Sequence, residues 1–292
     1  MSRLPIKIES TQCPSGCRSK VVRCGHFARK SDRAILQRYL CHGCRRKFSD
    51  ATFSSCFGQK KRHLNETIFR VFCGCYSQRR TAFDLKINRK TVVRKFLFLG
   101  YAAVEALPKI VARYPKIDSI EFDELETFEH SKLKPLSLLM AVQSGKRRIL
   151  GFKIASMPAK GHLTKRSVKK YGPRKDERGL AREQLFSELA KIVDDEGLIK
   201  SDQNPSYPSD VKKHFPNWIF ETFQSRRACV TGQGELKAGK YDPIFSINHT
   251  LAMLRANINR LVRRTWCTTK VKERLELHVA LYACYHNLLL VD

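Results

Sequence analysis

Two closely spaced cysteine pairs restrict how the first 57 residues can fold. One pair is Cys13 and Cys17, the other is Cys41 and Cys44, and 23 residues separate them. A glycine inside each pair lets backbone amides turn toward sulfur, and four thiolates in two such pairs can close a tetrahedral Zn²⁺ site. A segment this short depends on the metal to fold. Residues 1–57 are therefore predicted to form a zinc ribbon.

The N-terminal pattern leaves alternatives open. Cys24 and His42 can substitute as ligands, although their spacing fits a zinc site less well, and the two pairs can also be coincidental free cysteines. Residues 1–63 hold fifteen Lys or Arg and three Asp or Glu. This surplus predicts contact with phosphates, and a solvated basic face explains it almost as well.

The charge of the whole chain favours a polyanionic partner. Its 292 residues include 56 Lys or Arg against 27 Asp or Glu, a formal net charge of +29. Such a field favours nucleic acid first and an acidic membrane second. No apolar run approaches the length of a bilayer span, and the N-terminus lacks the apolar region of a signal peptide. We therefore expect a soluble, cytoplasmic chain with no membrane partner.

Residues 58–100 have the pattern of a DNA-binding helix-turn-helix. A helix, a short turn and a basic helix would place the last helix in the major groove, and an ordinary helical hairpin is the alternative. The helices are predicted over 66–73, 78–85 and 89–99, with Asn65, Ser77 and Asn88 as N-caps. The expected groove or phosphate contacts are Arg89, Lys90, Arg94 and Lys95.

Residues 115–292 are predicted to form an α/β domain, entered through a helix over 101–114 that starts afresh or kinks at Pro108. Three strands, a helix, a strand, a helix, a strand and a helix form the element order of the RNase H-like fold, a mixed sheet flanked by helices. The predicted strands are 117–128, 136–143, 148–156, 198–202 and 218–223. The predicted helices are 181–193, 209–214, 244–264 and 271–290, and residues 158–178 are predicted to be a mobile basic loop.

Two aspartates stand at the ends of strands that are neighbours in that fold. Asp123 follows the alternating apolar residues Ile120 and Phe122, and Asp202 ends the fourth strand. Facing carboxylates can bridge two Mg²⁺ (or Mn²⁺) ions, as in two-metal phosphoryl transfer. The alternatives are a surface turn neutralised by lysines for the first and a cap or turn residue for the second.

Short strings along nearly the whole chain carry a family resemblance. They are the ribbon cysteines with Phe48-Ser49 and Thr52, Gln78-Arg79-Arg80-Thr81-Ala82 through Lys90-Thr91, Asp123-Glu124, Ser201-Asp202, Asn248-His249 to Arg255, Arg260-Leu261 with Arg263-Arg264-Thr265, and Tyr285-His286-Asn287. In this order they resemble bacterial insertion-sequence transposases of the DDE superfamily, in the branch with an N-terminal zinc ribbon. The resemblance implies cleavage and joining of double-stranded DNA at terminal inverted repeats, a nucleoid-associated location, and at least a homodimer while two DNA ends are held.

The third metal ligand departs from the commonest family pattern. Most of the superfamily place Glu on the helix after the fifth strand, whereas the matching position here, seven residues before Arg255, is Asn248. Some members of the zinc-ribbon branch use Asn there, so the resemblance implies an Asp-Asp-Asn site. Glu235 is the rival ligand, and His249 would point off the same helical face by roughly 100 degrees. A catalytically dead copy would also carry such a change.

Further basic and aromatic residues near the C-terminus are candidates for DNA binding or for a structural role. Arg255, two turns beyond Asn248 on the same helical face, is expected to hold a DNA phosphate or to form a salt bridge. Arg260, Arg263 and Arg264 form a phosphate clamp or a solvated face. Trp266 and Phe245 are predicted to be core residues, with base-stacking platforms as the alternative, and Tyr285, His286 and Asn287 are predicted to be structural. A non-catalytic DNA-binding regulator and a nuclease or Holliday-junction resolvase of the same fold are the competing functions.

Overall fold

The computed structural model describes residues 12–30, 32–115, 117–224, 242–262 and 265–291. The chain divides into two compact units, Met1–Thr67 and Ile68–Asp292. The finer domain bounds expected from the sequence (1–57, 58–100 and 115–292) stay predictions. Within the described ranges, no helix is both long and apolar enough to cross a membrane.

The smaller unit contains a short antiparallel sheet and little apolar core. Its described strands are β1 (Val21–Ala28), β2 (Ile35–Cys41) and β3 (Lys47–Ser49), with β2 in the middle. Two 3₁₀ turns follow, Asp50–Phe53 and Arg62–Leu64. Cys13, Cys41 and Phe48 are its buried cluster, packed by Cys17, Val21 and Tyr39. So small a core does not stabilise a domain by itself, and two of its three buried members are cysteines.

Three helices follow in the order that the sequence predicts, as α1 (Asn65–Phe72), α2 (Gln78–Asp84) and α3 (Arg89–Val111). Two predicted N-caps are confirmed, because the Ser77 hydroxyl accepts from the Arg80 N–H and the Asn88 side chain accepts from the Lys90 N–H. The prediction of a break between residues 99 and 101 is wrong. Helix α3 runs on through Pro108, since its buried residues recur at helical spacing along one face that packs against α8 (Lys272–Leu289).

The larger unit is an α/β domain with a mixed parallel and antiparallel sheet, as predicted. Its described strands are β4 (Ser119–Phe128), β5 (Pro135–Gln143), β6 (Ile149–Ser156), β7 (Leu198–Asp202) and β8 (Ile219–Phe223). They lie in the order β6-β5-β4-β7-β8. The pairs β4–β5 and β5–β6 are antiparallel, whereas β4–β7 and β7–β8 are parallel. The first and fourth strands of this unit are therefore neighbours.

Helices flank this sheet, and neighbouring residues of β4 contact different ones. The further helices are α4 (Leu163–Tyr171), α5 (Arg178–Leu189), α6 (Tyr207–His214) and α7 (Phe245–Asn257). The ring of Phe122 contacts Phe186 of α5 and Tyr207 of α6. Glu121, which points to the opposite face, bonds the Ile247 N–H of α7. In α8, the Asn287 side chain bonds both backbone groups of Ile149, so its predicted structural role agrees with these contacts.

Two predicted segments differ from the structure. Residues 158–178 are not loop throughout, because α4 occupies the stretch between Gly161 and Gly172, where neither glycine nor proline interrupts the chain. The helix predicted over 244–264 ends at Asn257. There the Asn257 carbonyl accepts from the Cys75 N–H, and the Asn259 side chain donates to the Tyr76 carbonyl, so the chain leaves the helix toward residues 75–76.

The contact between α3 and α8 depends on the absence of a side chain at Gly100. A Cβ atom at this position would lie 2.7 Å from the Leu277 Cβ. We expect Gly100→Ala to lower the free energy of unfolding by about 1–3 kcal/mol, because backbone must shift to relieve the overlap. Denaturant unfolding followed by circular dichroism measures this change.

Gly179→Ala in α5 is the matched control. The nearest atom to its Cβ would be the Arg182 Nη2 at 3.8 Å, so the substitution has room and gains helix propensity. Equal destabilisation by the two substitutions would contradict the close packing assigned to Gly100.

Candidate functional site

The four predicted ribbon cysteines converge. The Sγ atoms of Cys13, Cys17, Cys41 and Cys44 all lie within 4.8 Å of one another, and those of Cys13 and Cys44 are 3.5 Å apart. Four thiolates around one Zn²⁺ at about 2.3 Å would be roughly 3.8 Å apart. The donor set and its spacing therefore fit a structural zinc ion. The alternative ligands Cys24 and His42 do not belong to this cluster.

The thiols of this cluster do not ionise alike. The Ser15 N–H donates to Cys13 Sγ at 3.4 Å and is the main cause that lowers the pKa of Cys13 to about 6. The pKa of Cys17 is raised to about 12, first by its hydrogen bond with Cys44 and then by that with Cys13. Four adjacent thiolates repel one another, so a divalent cation is needed to hold all four deprotonated.

For the cysteine cluster, we expect one zinc ion per chain in the purified protein and none in Cys41→Ser, since three thiolates leave the site open. Elemental analysis of the two proteins measures the metal content. Cys24→Ser, a change outside the cluster, should retain one zinc. A well-folded wild type with no bound metal would contradict the zinc ribbon.

The register of the parallel strands sets two aspartates level with each other. Ser119, Ile120 and Glu121 pair with Leu198, Ile199 and Lys200. Two residues further along each strand come Asp123 and Asp202. Adjacent strands lie about 4.8 Å apart and side chains alternate between faces, so this register gives both carboxylates the same face of the sheet as Glu121.

The charges of both aspartates affect the pKa of one buried tyrosine, Tyr207. Tyr207 of α6 is fully buried, and burial is the main cause that raises the pKa of its phenol far above the usual value. The negative charges of Glu124, Asp123 and Asp202 raise this pKa further, in that order. The positive charge of Arg182 lowers the pKa of this phenol, so three carboxylates from two strands and one guanidinium lie within electrostatic range of the hydroxyl group.

The first turn of helix α7 is bonded to Glu121 of β4. The Glu121 carboxylate accepts from the Ile247 N–H at 2.9 Å and from the Ser144 hydroxyl at 2.6 Å. Asn248 is the next residue of the helix, and its Nδ2 donates to Asp242 Oδ2 at 3.0 Å. Because the amide nitrogen acts as the donor, the amide oxygen is the atom of Asn248 suited to a metal ion.

His249 and Glu235 are the alternative candidates for the third metal ligand. The His249 Nδ1 lies 3.3 Å from Arg147 Nη1, and its pKa is lowered by burial first and by the Arg147 charge second. Its ring is thus engaged with the turn between β5 and β6. Glu235 lies outside the described residues. Within the described ranges, no third His, Cys, Asp or Glu clusters with Asp123 and Asp202.

A buried ionic network lies on the other side of β4. The Arg182 side chain of α5 is 10% exposed, with its Nη1 3.1 Å from Glu124 Oε1 and its Nε 2.5 Å from Asp210 Oδ2. The Ser137 hydroxyl donates to Glu124 Oε2 at 2.7 Å, and the guanidinium carbon is 5.7 Å from the centre of the Tyr207 ring. Glu124 is therefore held away from Asp123. The sequence gives no signal for this network, because its members lie on four separate elements, β4, β5, α5 and α6.

The DNA contacts predicted on α3 are exposed, with the exception of Lys95. Arg89, Lys90 and Arg94 are exposed on the first turns of α3. Lys95 is 2% exposed, because it shares the packed face of α3 with Val92 and Phe96. This placement does not suit the groove contact predicted for Lys95.

The DNA-binding candidates near the C-terminus have different surroundings. Arg255 lines a cavity of about 370 Å³ together with Lys132 and Lys160. Arg260 is largely buried, with its guanidinium carbon 5.6 Å from the centre of the Phe96 ring, and so is not part of a solvated face. Arg263 and Arg264 lie outside the described residues.

Two aromatic residues predicted to be core are not. The Trp266 side chain is 100% exposed, and Phe245 at the start of α7 is about half exposed. Trp266 lies between α7 and α8, outside both helices, as the sequence predicted.

The similarity of this chain to known proteins is low. No family model matches the sequence, and no curated protein matches it. Among solved structures, the chain is similar to piggyBac transposase in a synaptic complex with hairpin DNA, at 10% identity and a TM-score of 0.32. The match covers 77% of this chain and 64% of that chain. Function is therefore inferred below from the residues of the chain itself.

Arg182 is expected to be the residue on which the Glu124–Asp210 pair depends. Arg182→Met should lower the free energy of unfolding by about 3–5 kcal/mol, because two carboxylates lose a buried counter-charge. Adding Glu124→Gln and Asp210→Asn should restore part of the loss. Denaturant unfolding of the single and triple variants measures both effects.

Arg178→Met is the control on the same helix. Arg178 pairs with Asp176 nearer to solvent, and such pairs contribute less than about 1 kcal/mol. A loss for Arg182→Met no larger than that for Arg178→Met would contradict the buried network.

Proposed function

We propose that the chain is a transposase that cleaves DNA at the ends of an insertion sequence and joins those ends to target DNA. The observation that carries the proposal is the register of β4 and β7, which sets Asp123 level with Asp202 at the ends of adjacent parallel strands. The strand order β6-β5-β4-β7-β8 also agrees with the order expected of an RNase H-like domain.

The donor set of this proposed site suits a hard cation. Two carboxylates and the amide oxygen of Asn248 are oxygen ligands, the kind that Mg²⁺ and Mn²⁺ prefer. Two bound metal ions would make a water or a 3′-hydroxyl more acidic and would stabilise the leaving oxygen. Asp123 and Asp202 would hold the ions, and Asn248 would add a neutral ligand, which binds more weakly than the usual Glu.

The chain's other residues support this arrangement without touching the ions. Glu121 ties the first turn of α7 to β4, and thereby fixes where Asn248 stands along the sheet. Arg182 holds the Glu124 carboxylate on the opposite face, so the negative charge nearest Asp123 is partly compensated. Arg255, seven residues after Asn248, would bind a phosphate of the DNA end beside Lys160.

The substrate in this proposal is double-stranded DNA. A net charge of +29 attracts phosphate backbones, and the exposed Arg89, Lys90 and Arg94 are suited to a major-groove or backbone contact by α3 as the second helix of a helix-turn-helix. A homodimer would hold two element ends during the reaction.

A non-catalytic DNA-binding regulator is the second candidate. The observation that favours it is Asn248, because a neutral amide replaces the charged third ligand that most enzymes of the resembled superfamily carry. Strand-transfer chemistry separates the two candidates.

The proposed function predicts strand transfer that depends on both aspartates. With Mg²⁺ and DNA carrying the element's terminal repeats, we expect Asp123→Asn and Asp202→Asn each to lower joined product by at least about a hundredfold, since displacement of a reacting group already costs that much. Gel electrophoresis measures the joined product, and a binding assay on the same DNA should show unchanged affinity.

Asp195→Asn is the matched control, because Asp195 is an exposed carboxylate before β7. It should leave joining unchanged. An inactive wild type that still binds the terminal repeats would favour the regulator, and full activity in either aspartate variant would exclude the proposed site.

A further inference from the structure

A basic cavity lies apart from the carboxylate pair. Its volume is about 420 Å³, within the range of pockets that hold small ligands. The walls come from the segment before and within α2, the first residue of α3 and the segment between α7 and α8. Asp123, Asp202 and Asn248 do not line it.

The lining charge of this basic cavity has one sign. Arg79, Arg89, Arg260 and Lys270 contribute cationic side chains, and none of the described residues along the wall is acidic. Four like charges around one concave space repel each other, and low-dielectric walls strengthen that repulsion. An anion in the cavity would offset this cost, and a phosphate is the anion that arginines recognise best.

Arg260 gives the clearest indication of a missing anion. Its Nε is buried and has no hydrogen-bond partner among the described residues. Burial is the main cause that lowers the pKa of this guanidinium; the neighbouring Cys267 raises this pKa, and the positive charge of Arg274 lowers it. The Phe96 ring, 5.6 Å away, offsets only part of the desolvation cost. A buried charge of this kind is normally paired, and no Asp or Glu among the described residues lines the cavity beside it.

The cavity also carries an aromatic surface. Trp266 is part of its wall, yet the Trp266 side chain is fully exposed to solvent. An indole that is in contact with water on both faces contributes no hydrophobic stabilisation to the fold, whereas most tryptophans are largely buried. Stacking of a nucleobase on such a ring contributes about 1–3 kcal/mol and tolerates any base sequence.

We propose that this cavity binds one nucleotide of a single-stranded DNA segment, with its phosphate near Arg260 and its base stacked on Trp266. Basic groups beside an exposed aromatic ring are the combination that single-strand binders use. A base inside a duplex cannot reach such a ring without leaving its partner, which costs a few kcal/mol. Binding here requires no strand cleavage, so this inference stands or falls separately from the proposed catalytic site.

Trp266 itself provides the test. The chain has two tryptophans, and the other, Trp218, is only 8% exposed and bonded to the Asp194 carbonyl. Titration of the full chain with oligothymidylate of about eight nucleotides, within the site size of single-strand binders, should quench the tryptophan fluorescence. Trp266→Phe should abolish that quenching, because the remaining indole is shielded.

Charge variants test the phosphate contact at a fixed salt concentration. The pair Arg79→Ala and Lys270→Ala should weaken the oligothymidylate affinity by about tenfold per charge removed, as for charge-assisted hydrogen bonds. Both residues are exposed, so the variant should fold even where Arg260→Gln does not. Lys109→Ala with Arg113→Ala removes the same charge from exposed positions outside the cavity and should weaken binding by less than about twofold.

Three results would overturn the inference. The first is quenching by a duplex of equal length that is as strong as quenching by the single strand. The second is equal loss of affinity in the cavity variant and in the charge-matched control, which would reduce the cavity to part of a general basic surface. The third is equal quenching by an oligonucleotide that lacks bases, which would exclude stacking on Trp266.

Discussion

The arrangement of the larger unit depends on the hydrogen bonds that the buried Glu121 carboxylate accepts. Glu121 is 2% exposed within a strand whose neighbouring residues are apolar, and such a group is costly to bury unless its oxygens are bonded. Its partners are the Ser144 hydroxyl and the Ile247 N–H, and the Ser246 hydroxyl in turn accepts from the Gly145 N–H. One carboxylate thus joins the central strand, the turn between β5 and β6, and the start of α7.

Three acidic residues within four positions of β4 have different surroundings. Glu121 is satisfied by α7, Glu124 is paired with Arg182 of α5, and Asp123 shares the face of Glu121 beyond the last paired residue of β7. The sequence shows only acidic residues close together. The two-residue period of a strand sends Glu124 to the face opposite to that of Glu121 and Asp123. Glu121 and Asp123 differ in their position along the strand, because the pairing of β4 with β7 ends at Glu121.

What the sequence predicts well is local, and what it misses is assembled from distant segments. The bounds of β7 and the caps Ser77 and Asn88 were predictable, because each depends on a few adjacent residues. The pairing of β4 with β7 followed from element order. The continuity of α3 and the burial of Lys95 depend on packing within the larger unit. The basic cavity joins residues near 79 and 89 to residues near 260 and 270, so no window of sequence contains it.

In the proposed active site, the charge balance links metal binding to DNA binding. Asp123 and Asp202 supply two negative charges, Asn248 supplies none, and the charge of Glu124 is already offset by Arg182. Two divalent ions would exceed the negative charge of these ligands, and they would do so in a chain of net charge +29. Phosphate oxygens of the substrate are the remaining source of negative charge that completes such a site. In this proposed site, the amide at position 248 would therefore make full metal occupancy depend more strongly on bound DNA than a glutamate there would.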